Sequence, residues 1–243
     1  FPDYYKICLG DLQDRGMESK EVLDFIMNRD DTSAIYGNHE FLFELFMEND
    51  FCEDWVLFLT KGGLETISSY IYNQKDRNKF IKNIDKYCFL LNLYYDTDEY
   101  NSHDMDFEHD DFFESNQYLN NKYDFDKMIL EIQTIKLQIP KKYLNYIKSL
   151  PRFIETKDFI ATHAPLNHFP LDNDIIQKHT FLFNRQKYPF IEKSNIHGHN
   201  GYKSLRMLNN QYSVCVDDSL NKNFNVFIWE TKKFETFPIK LSI

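Results

Sequence analysis

Four short segments of this chain repeat one pattern, and that pattern limits the folds open to it. Gly10-Asp11-Leu12-Gln13-Asp14-Arg15-Gly16, Gly37-Asn38-His39-Glu40, Ala161-Thr162-His163-Ala164 and His197-Gly198-His199-Asn200 each set Asp, Asn or His beside Gly or a small residue. Loops that follow strands are where open α/β sheets place their ligands. The flanks of the first two segments agree with that reading. Residues 4–9 alternate into a strand that ends at Gly10, and residues 20–28 carry Val22, Leu23, Phe25 and Ile26 at helical spacing. Residues 33–36 form a second short strand closed by Gly37, and residues 40–48 are a strongly apolar helix.

Further along, residues 64–73 have helical spacing. Pro140 suits the first turn of a helix that carries Tyr143, Leu144 and Ile147 and stops at Leu150-Pro151. Residues 152–155 and 158–162 flank the turn Thr156-Lys157 as a hairpin, and strands follow near 195–196, 211–216, 225–229 and 233–238. Alternating strand and helix followed by β-hairpins predicts an α/β fold with two sheets face to face and helices outside. Residues 92–126 are crowded with Asp, Glu, Asn and Tyr without a clear period, and read as an acidic, partly ordered insertion. With 243 residues and no linker-like stretch, a single domain over 1–243 is expected.

Hydrophobic residues make up 42% of the chain, enough for a packed interior. The formal net charge of -10 argues against a protein whose work is gripping a nucleic-acid backbone. Cys8, Cys52, Cys88 and Cys215 are far apart and show no paired spacing, so reduced, mostly buried thiols and a cytoplasmic location are expected. Every apolar run is far shorter than the roughly 20 residues a membrane span needs, and neither a membrane helix nor a signal peptide is expected.

Carboxylate, amide and imidazole together suit borderline divalent metals such as Mn, Fe or Zn. The four segments also carry a resemblance. GDLQDRG resembles the GDxxDRG motif, and GNHE is identical to the GNHE motif, of the calcineurin-like metallophosphoesterases of the PPP-type serine/threonine protein phosphatase superfamily, in the same order. THAP and HGHN resemble that family's third and fourth metal motifs, with Pro165 where Gly is usual. Leu182-Phe183-Asn184-Arg185 is similar to the LWxR segment of bacterial-type members, and Lys61-Gly62-Gly63 with Thr66, Ser69 and Tyr70 to their NGG-T-SY stretch. Asp217 stands where members carry DTG.

The resemblance implies a four-layer α/β/β/α sandwich of two mixed sheets with outer helices, and a hydrolase acting on phosphoric ester bonds. It implies that Asp11 bridges two divalent ions, Mn, Fe or Zn, while Asn38, His163 and His199 complete the shell of one of them. In such a site a metal-bridging hydroxide attacks phosphorus directly. Arg15 and Arg185 would grip the phosphate, and His39, held in its working tautomer by Asp14, would protonate the leaving oxygen. The expected substrates are phosphorylated proteins or small phosphoesters. Symmetrical hydrolysis of dinucleoside polyphosphates is the nearest alternative, and a non-catalytic binding module is the alternative from another class.

One family motif has no counterpart. The GDxHG segment whose Asp and His hold the other metal does not occur in the chain, so a strand-helix unit is expected upstream and weak or no activity is expected of these 243 residues alone. Simpler readings apply elsewhere. His103 and His109 stand in a run of acidic residues that reads as a solvated loop, and His168 and His179 read as surface or structural. Trp55 and the Phe41-Phe43-Phe46 cluster read as core. Strand alternation is expected to turn His197 away from His199.

Overall fold

β1 (Lys6–Cys8) and β2 (Thr32–Ala34) pair in parallel with Ile7 opposite Ser33, and the chain between them runs through α1 (Ser19–Met27). A parallel pair needs such a crossover. The structure is a computed structural model that describes residues 3–94, 116–166, 180–185, 192–217 and 223–238. It is a mixed α/β protein whose described residues divide into two compact units, each assembled from separate stretches of chain.

The first unit comprises Phe1–Leu12, Asn28–Phe41 and Ser149–Ile243. Besides the β1–β2 pair it contains a five-stranded sheet in the order β3-β4-β5-β7-β6, formed by β3 (Phe153–Glu155), β4 (Phe159–Thr162), β5 (Ser194–His197), β6 (Ser204–Leu208) and β7 (Gln211–Cys215). The sheet is mixed: β4, β5 and β7 run parallel, and β3 and β6 are antiparallel to their neighbours. β5 lies at its centre with all four residues buried, as suits a parallel strand covered on both faces. A separate antiparallel pair joins β8 (Asn223–Ile228) and β9 (Lys233–Pro238).

The β3–β4 hairpin falls where the sequence predicts it. Thr156 closes the hairpin, its hydroxyl donating to the Phe159 carbonyl and accepting from the Phe159 N–H. β6 is an addition. It turns into β7 through Asn209 and Asn210, both with positive φ (49° and 64°), as a two-residue hairpin turn requires. Most of β6 is exposed at the sheet edge, so its apolar Leu205, Met207 and Leu208 carry no burial alternation to betray it.

The second unit comprises Gln13–Met27 and Leu42–Lys148 and is helical. It holds α1, most of α2 (Asn38–Glu48), α3 (Glu53–Phe58), α4 (Leu64–Ser68), α5 (Gln74–Lys82), α6 (Ile84–Tyr94), α7 (Asn116–Gln138) and α8 (Lys141–Ser149). Its core is aromatic: Phe46 lies 4.7 Å from both Trp55 and Phe58, and Tyr70 meets Tyr143 edge-on at 5.1 Å. Phe43, Phe46 and Trp55 are core as predicted.

Two expectations are corrected. The helix expected over 64–73 stops at Ser68; the next N–H groups bond three residues back, and Asn73 then caps α5 by accepting from Lys75 N–H and Asp76 N–H. Of the acidic insertion expected over 92–126, residues 92–94 belong to α6, which runs to Tyr94, and residues 116–126 to α7, which starts at Asn116. α7 buries Phe125, Met128, Ile132 and Ile135 at spacings of three and four, and most of that stripe lies beyond residue 126, outside the polar window. Residues 95–115, with His103 and His109, lie outside the described residues, as do His168 and His179. Among the described residues no helix is long and apolar enough to cross a membrane. The four cysteines are free thiols, Cys215 buried and the other three half-buried.

Candidate metal centre

Two glycines let the first two loops touch. Gly10, just past β1, has φ +83°, and a Cβ there would lie 2.8 Å from Gly37 Cα and 2.9 Å from His163 Nδ1. At Gly37 a Cβ would lie 2.7 Å from Asp11 N, Asp11 Oδ1 and Glu40 Oε2. Only hydrogen fits at either place. The third and fourth loops are joined by the Gly198 N–H, which donates to the His163 carbonyl at 2.7 Å. Asn195 of β5 anchors the third loop, its amide nitrogen donating to Thr162 Oγ1 at 2.9 Å and its oxygen accepting from Leu166 N–H at 3.2 Å.

Asp11, Asn38, His163 and His199 come together, all within the first unit. His163 Nε2 lies 2.8 Å from Asn38 Oδ1, 3.1 Å from His199 Nδ1 and 3.5 Å from Asp11 Oδ1. The Leu9 carbonyl lies 2.8 Å from His163 Nδ1. A carbonyl only accepts, so Nδ1 carries a proton. In the neutral imidazole Nε2 then presents its lone pair to the Asn38 amide, which can answer it with its NH₂ as a hydrogen-bond donor or, with a cation between them, with its oxygen as a second ligand. Cation-bound nitrogens and oxygens at bond lengths of roughly 2.0–2.2 Å stand about 3–3.5 Å apart, which is the scale of these separations. The donor set therefore fits a borderline divalent ion, and the bond from His163 to Leu9 is the outer contact a ligating imidazole uses to fix its tautomer.

Electrostatics favour deprotonated donors. Burial alone would raise the Asp11 carboxyl, but His163, His39 with its backbone N–H, and His199 together hold it below the usual carboxylate range. The Asp11 side chain keeps 32% of its surface open, the exposed edge of an otherwise enclosed cluster. Burial, followed by His163 and Arg185 nearby, pushes His199 down to about 4, so its imidazole is neutral at neutral pH. Asp11 and His199 both adopt left-handed backbone, φ 53° and 67°, conformations that non-glycine residues hold only when their surroundings fix them.

His39 is buried beside the cluster, with its N–H donating to Asp11 Oδ1 at 3.3 Å and its Nε2 4.0 Å from Asp11 Oδ2. Arg185 donates from Nη1 to the His199 carbonyl at 3.0 Å, and the preceding Phe183 packs edge-on against Phe41 at 6.3 Å. Phe41 is thus a contact for the Arg185 segment, which refines its reading as part of a helix core cluster. Asp217 accepts from Gly201 N–H at 2.7 Å and so steadies the loop after His199.

Asp14 and Arg15 belong to the second unit. There the Asp14 carboxylate accepts from Thr66 Oγ1 at 2.6 Å, and the Arg15 N–H donates to the Gly62 carbonyl at 3.3 Å. Their expected parts beside His39 and the phosphate rest on the GDxxDRG motif. His197 is buried outside the cluster with Nδ1 at the Gly198 carbonyl. The reason differs from strand alternation: β5 ends at His197, and the left-handed turn at His199 re-aims the chain.

Glu40, Leu9 and Asn195 hold the site without being among the residues expected from the sequence. Glu40 had a signal, since it stands third after Gly37, the spacing of a capping box. Leu9 acts through its carbonyl, which no side-chain pattern reveals. Asn195 is a polar residue inside a buried strand, and such a residue needs partners. The chain matches no protein-family model, and no curated protein matches it in sequence.

Proposed function

We propose that this chain is a metal-dependent hydrolase of phosphoric esters, akin to the calcineurin-like metallophosphoesterases, acting on phosphomonoesters and foremost on phosphoserine and phosphothreonine in proteins. The observation that carries this reading is the convergence of Asp11, Asn38, His163 and His199 from four separate loops, with His163 Nε2 within 3.5 Å of Asp11 Oδ1, Asn38 Oδ1 and His199 Nδ1. Asp11 and His163 would hold the ion together with Asn38 and His199. A divalent ion supplies Lewis acidity toward a phosphoryl oxygen and makes hydroxide available at neutral pH. On the same reading the β1–β2 pair and the five-stranded sheet belong to the two mixed sheets of a four-layer α/β/β/α sandwich.

The chain's own residues would do the rest. Buried His39 donates a proton to the leaving alkoxide oxygen. A guanidinium carries five N–H donors, so Arg185 can hold the His199 loop and still grip a phosphate oxygen. Charge building on the phosphoryl oxygens is then met by fixed donors.

One observation favours a second reading: among the described residues, the His, Cys, Asp and Glu donors gather at a single point. A lone ion held there without turnover would make the chain a binding module. With Mn²⁺ the chain is expected to release phosphate slowly from a phosphoserine peptide, to leave diadenosine tetraphosphate intact, and to lose release on Asp11→Asn. Release that ignores Mn²⁺ or survives Asp11→Asn contradicts the proposal. Mn²⁺ binding without any release favours the binding module, and cleavage of diadenosine tetraphosphate alone moves the substrate to phosphoanhydrides.

A further inference from the structure

Glu40 lies fully buried behind the cluster and accepts three backbone N–H groups. Oε2 takes those of Gly37 and Asp11, Oε1 takes that of Leu12, and each distance is 2.8 Å. The bond to Gly37 alone would cap α2. The other two cross to a loop 28 and 29 residues earlier in the chain, which capping does not require. They fix the backbone on both sides of the Asp11 side chain, in the left-handed conformation that Asp11 adopts. The bond to Gly37 fixes the residue before Asn38. One carboxylate therefore sets the separation and aim of two of the four donors.

The chemistry is specific to glutamate. An ionised carboxylate is acceptor-only and can take three N–H groups at once, whereas a Gln amide would turn an NH₂ toward at least one of them. An Asp carboxylate is one methylene too short to reach both loops. Burial, and then the nearby Asp11 carboxylate, push the Glu40 carboxyl up, and the three N–H groups favour its charged form.

We infer that Glu40 is a positioning residue that sets the cation affinity of the centre through Asp11 and Asn38 without touching the ion. The inference rests on the metal reading above. Its test is calorimetric titration of MnCl₂ into the metal-free 243-residue chain, in wild type, Glu40→Gln, Glu40→Asp and Asp11→Asn, at a temperature where circular dichroism shows each folded. Glu40→Gln and Glu40→Asp are each expected to weaken Mn²⁺ binding at least 10-fold. A purely structural role would lower the melting temperature and leave the affinity of the folded protein unchanged, and that result in either variant overturns the inference. Amide hydrogen exchange in the wild type needs no variant to fold. The Asp11, Leu12 and Gly37 amides are expected to slow together when Mn²⁺ is added, and exchange that stays unchanged on Mn²⁺ binding also overturns it. If the wild type binds no Mn²⁺, or Asp11→Asn binds as well as wild type, the metal reading fails and takes this inference with it.

Discussion

A hydrogen atom at position 37 keeps Asp11, Asn38 and Glu40 in register. Because a Cβ there would press on Asp11 N, Asp11 Oδ1 and Glu40 Oε2 at once, Gly37→Ala forces backbone or carboxylate to move. Overpacking of this kind costs about 1–3 kcal/mol, and here the displaced groups belong to Asp11, a proposed ligand, and to Glu40, which holds the Asp11 backbone. Gly37→Ala is therefore expected to lower stability in urea by that amount and to abolish Mn²⁺ binding, whereas Gly16→Ala, with open space around its Cβ, is expected to leave both unchanged. Mn²⁺ binding retained in Gly37→Ala would show that the two loops need not touch. The four side chains that meet are legible in the sequence, because Asp11, Asn38, His163 and His199 sit in motif-like loops. The groups that hold them are not: Glu40 acts on backbone N–H groups and Leu9 acts through its own backbone carbonyl, and a motif's letters say nothing of backbone partners.

Helices in the second unit are tied by a shared carboxylate. Asp24 of α1 accepts from Lys142 Nζ and Tyr143 Oη of α8, each at 2.9 Å, and from Lys20 Nζ at 3.0 Å. Burial would raise this carboxyl, but bonds from Lys142, Lys20 and Tyr143 outweigh it and hold it at about 2. An unfolded Asp titrates near roughly 3.9. The stabilisation is complete above that value and is lost as pH falls through about 2. Since the pair is partly exposed, Asp24→Asn is expected to cost less than about 1 kcal/mol at pH 7. The gap between variant and wild type in urea should shrink as pH is lowered from 5 toward 2.5; a gap that stays constant would mean the charge plays no part. Asn73→Ala removes the cap of α5 and is expected to cost about 1 kcal/mol, read as a lower urea midpoint at unchanged slope.

β4 and β7 are legible because their apolar residues are buried, and β1, β2 and β3 because a glycine or a turn signal closes each of them. β6 is not, because its apolar residues lie exposed on an edge, and α7 is not, because its buried stripe falls largely past the polar window in which it begins.

Across the whole molecule, the proposed ligands report on assembly of the first unit. Asp11 comes from its first stretch, Asn38 from its second, and His163 and His199 from its third. An ion that needs all three together binds only the folded unit, so it stabilises by about 2.7 kcal/mol at 100 times its dissociation constant. Mn²⁺ is expected to raise the melting temperature of wild type and not of His163→Ala, as seen by scanning calorimetry. Equal shifts in both would place the ion elsewhere. The most direct test is anomalous diffraction at the Mn edge from crystals soaked in MnCl₂. A peak is expected within about 2.0–2.3 Å of Asp11, Asn38, His163 and His199. Density only at other positions, or none in a crystal where these four side chains are ordered, would contradict it.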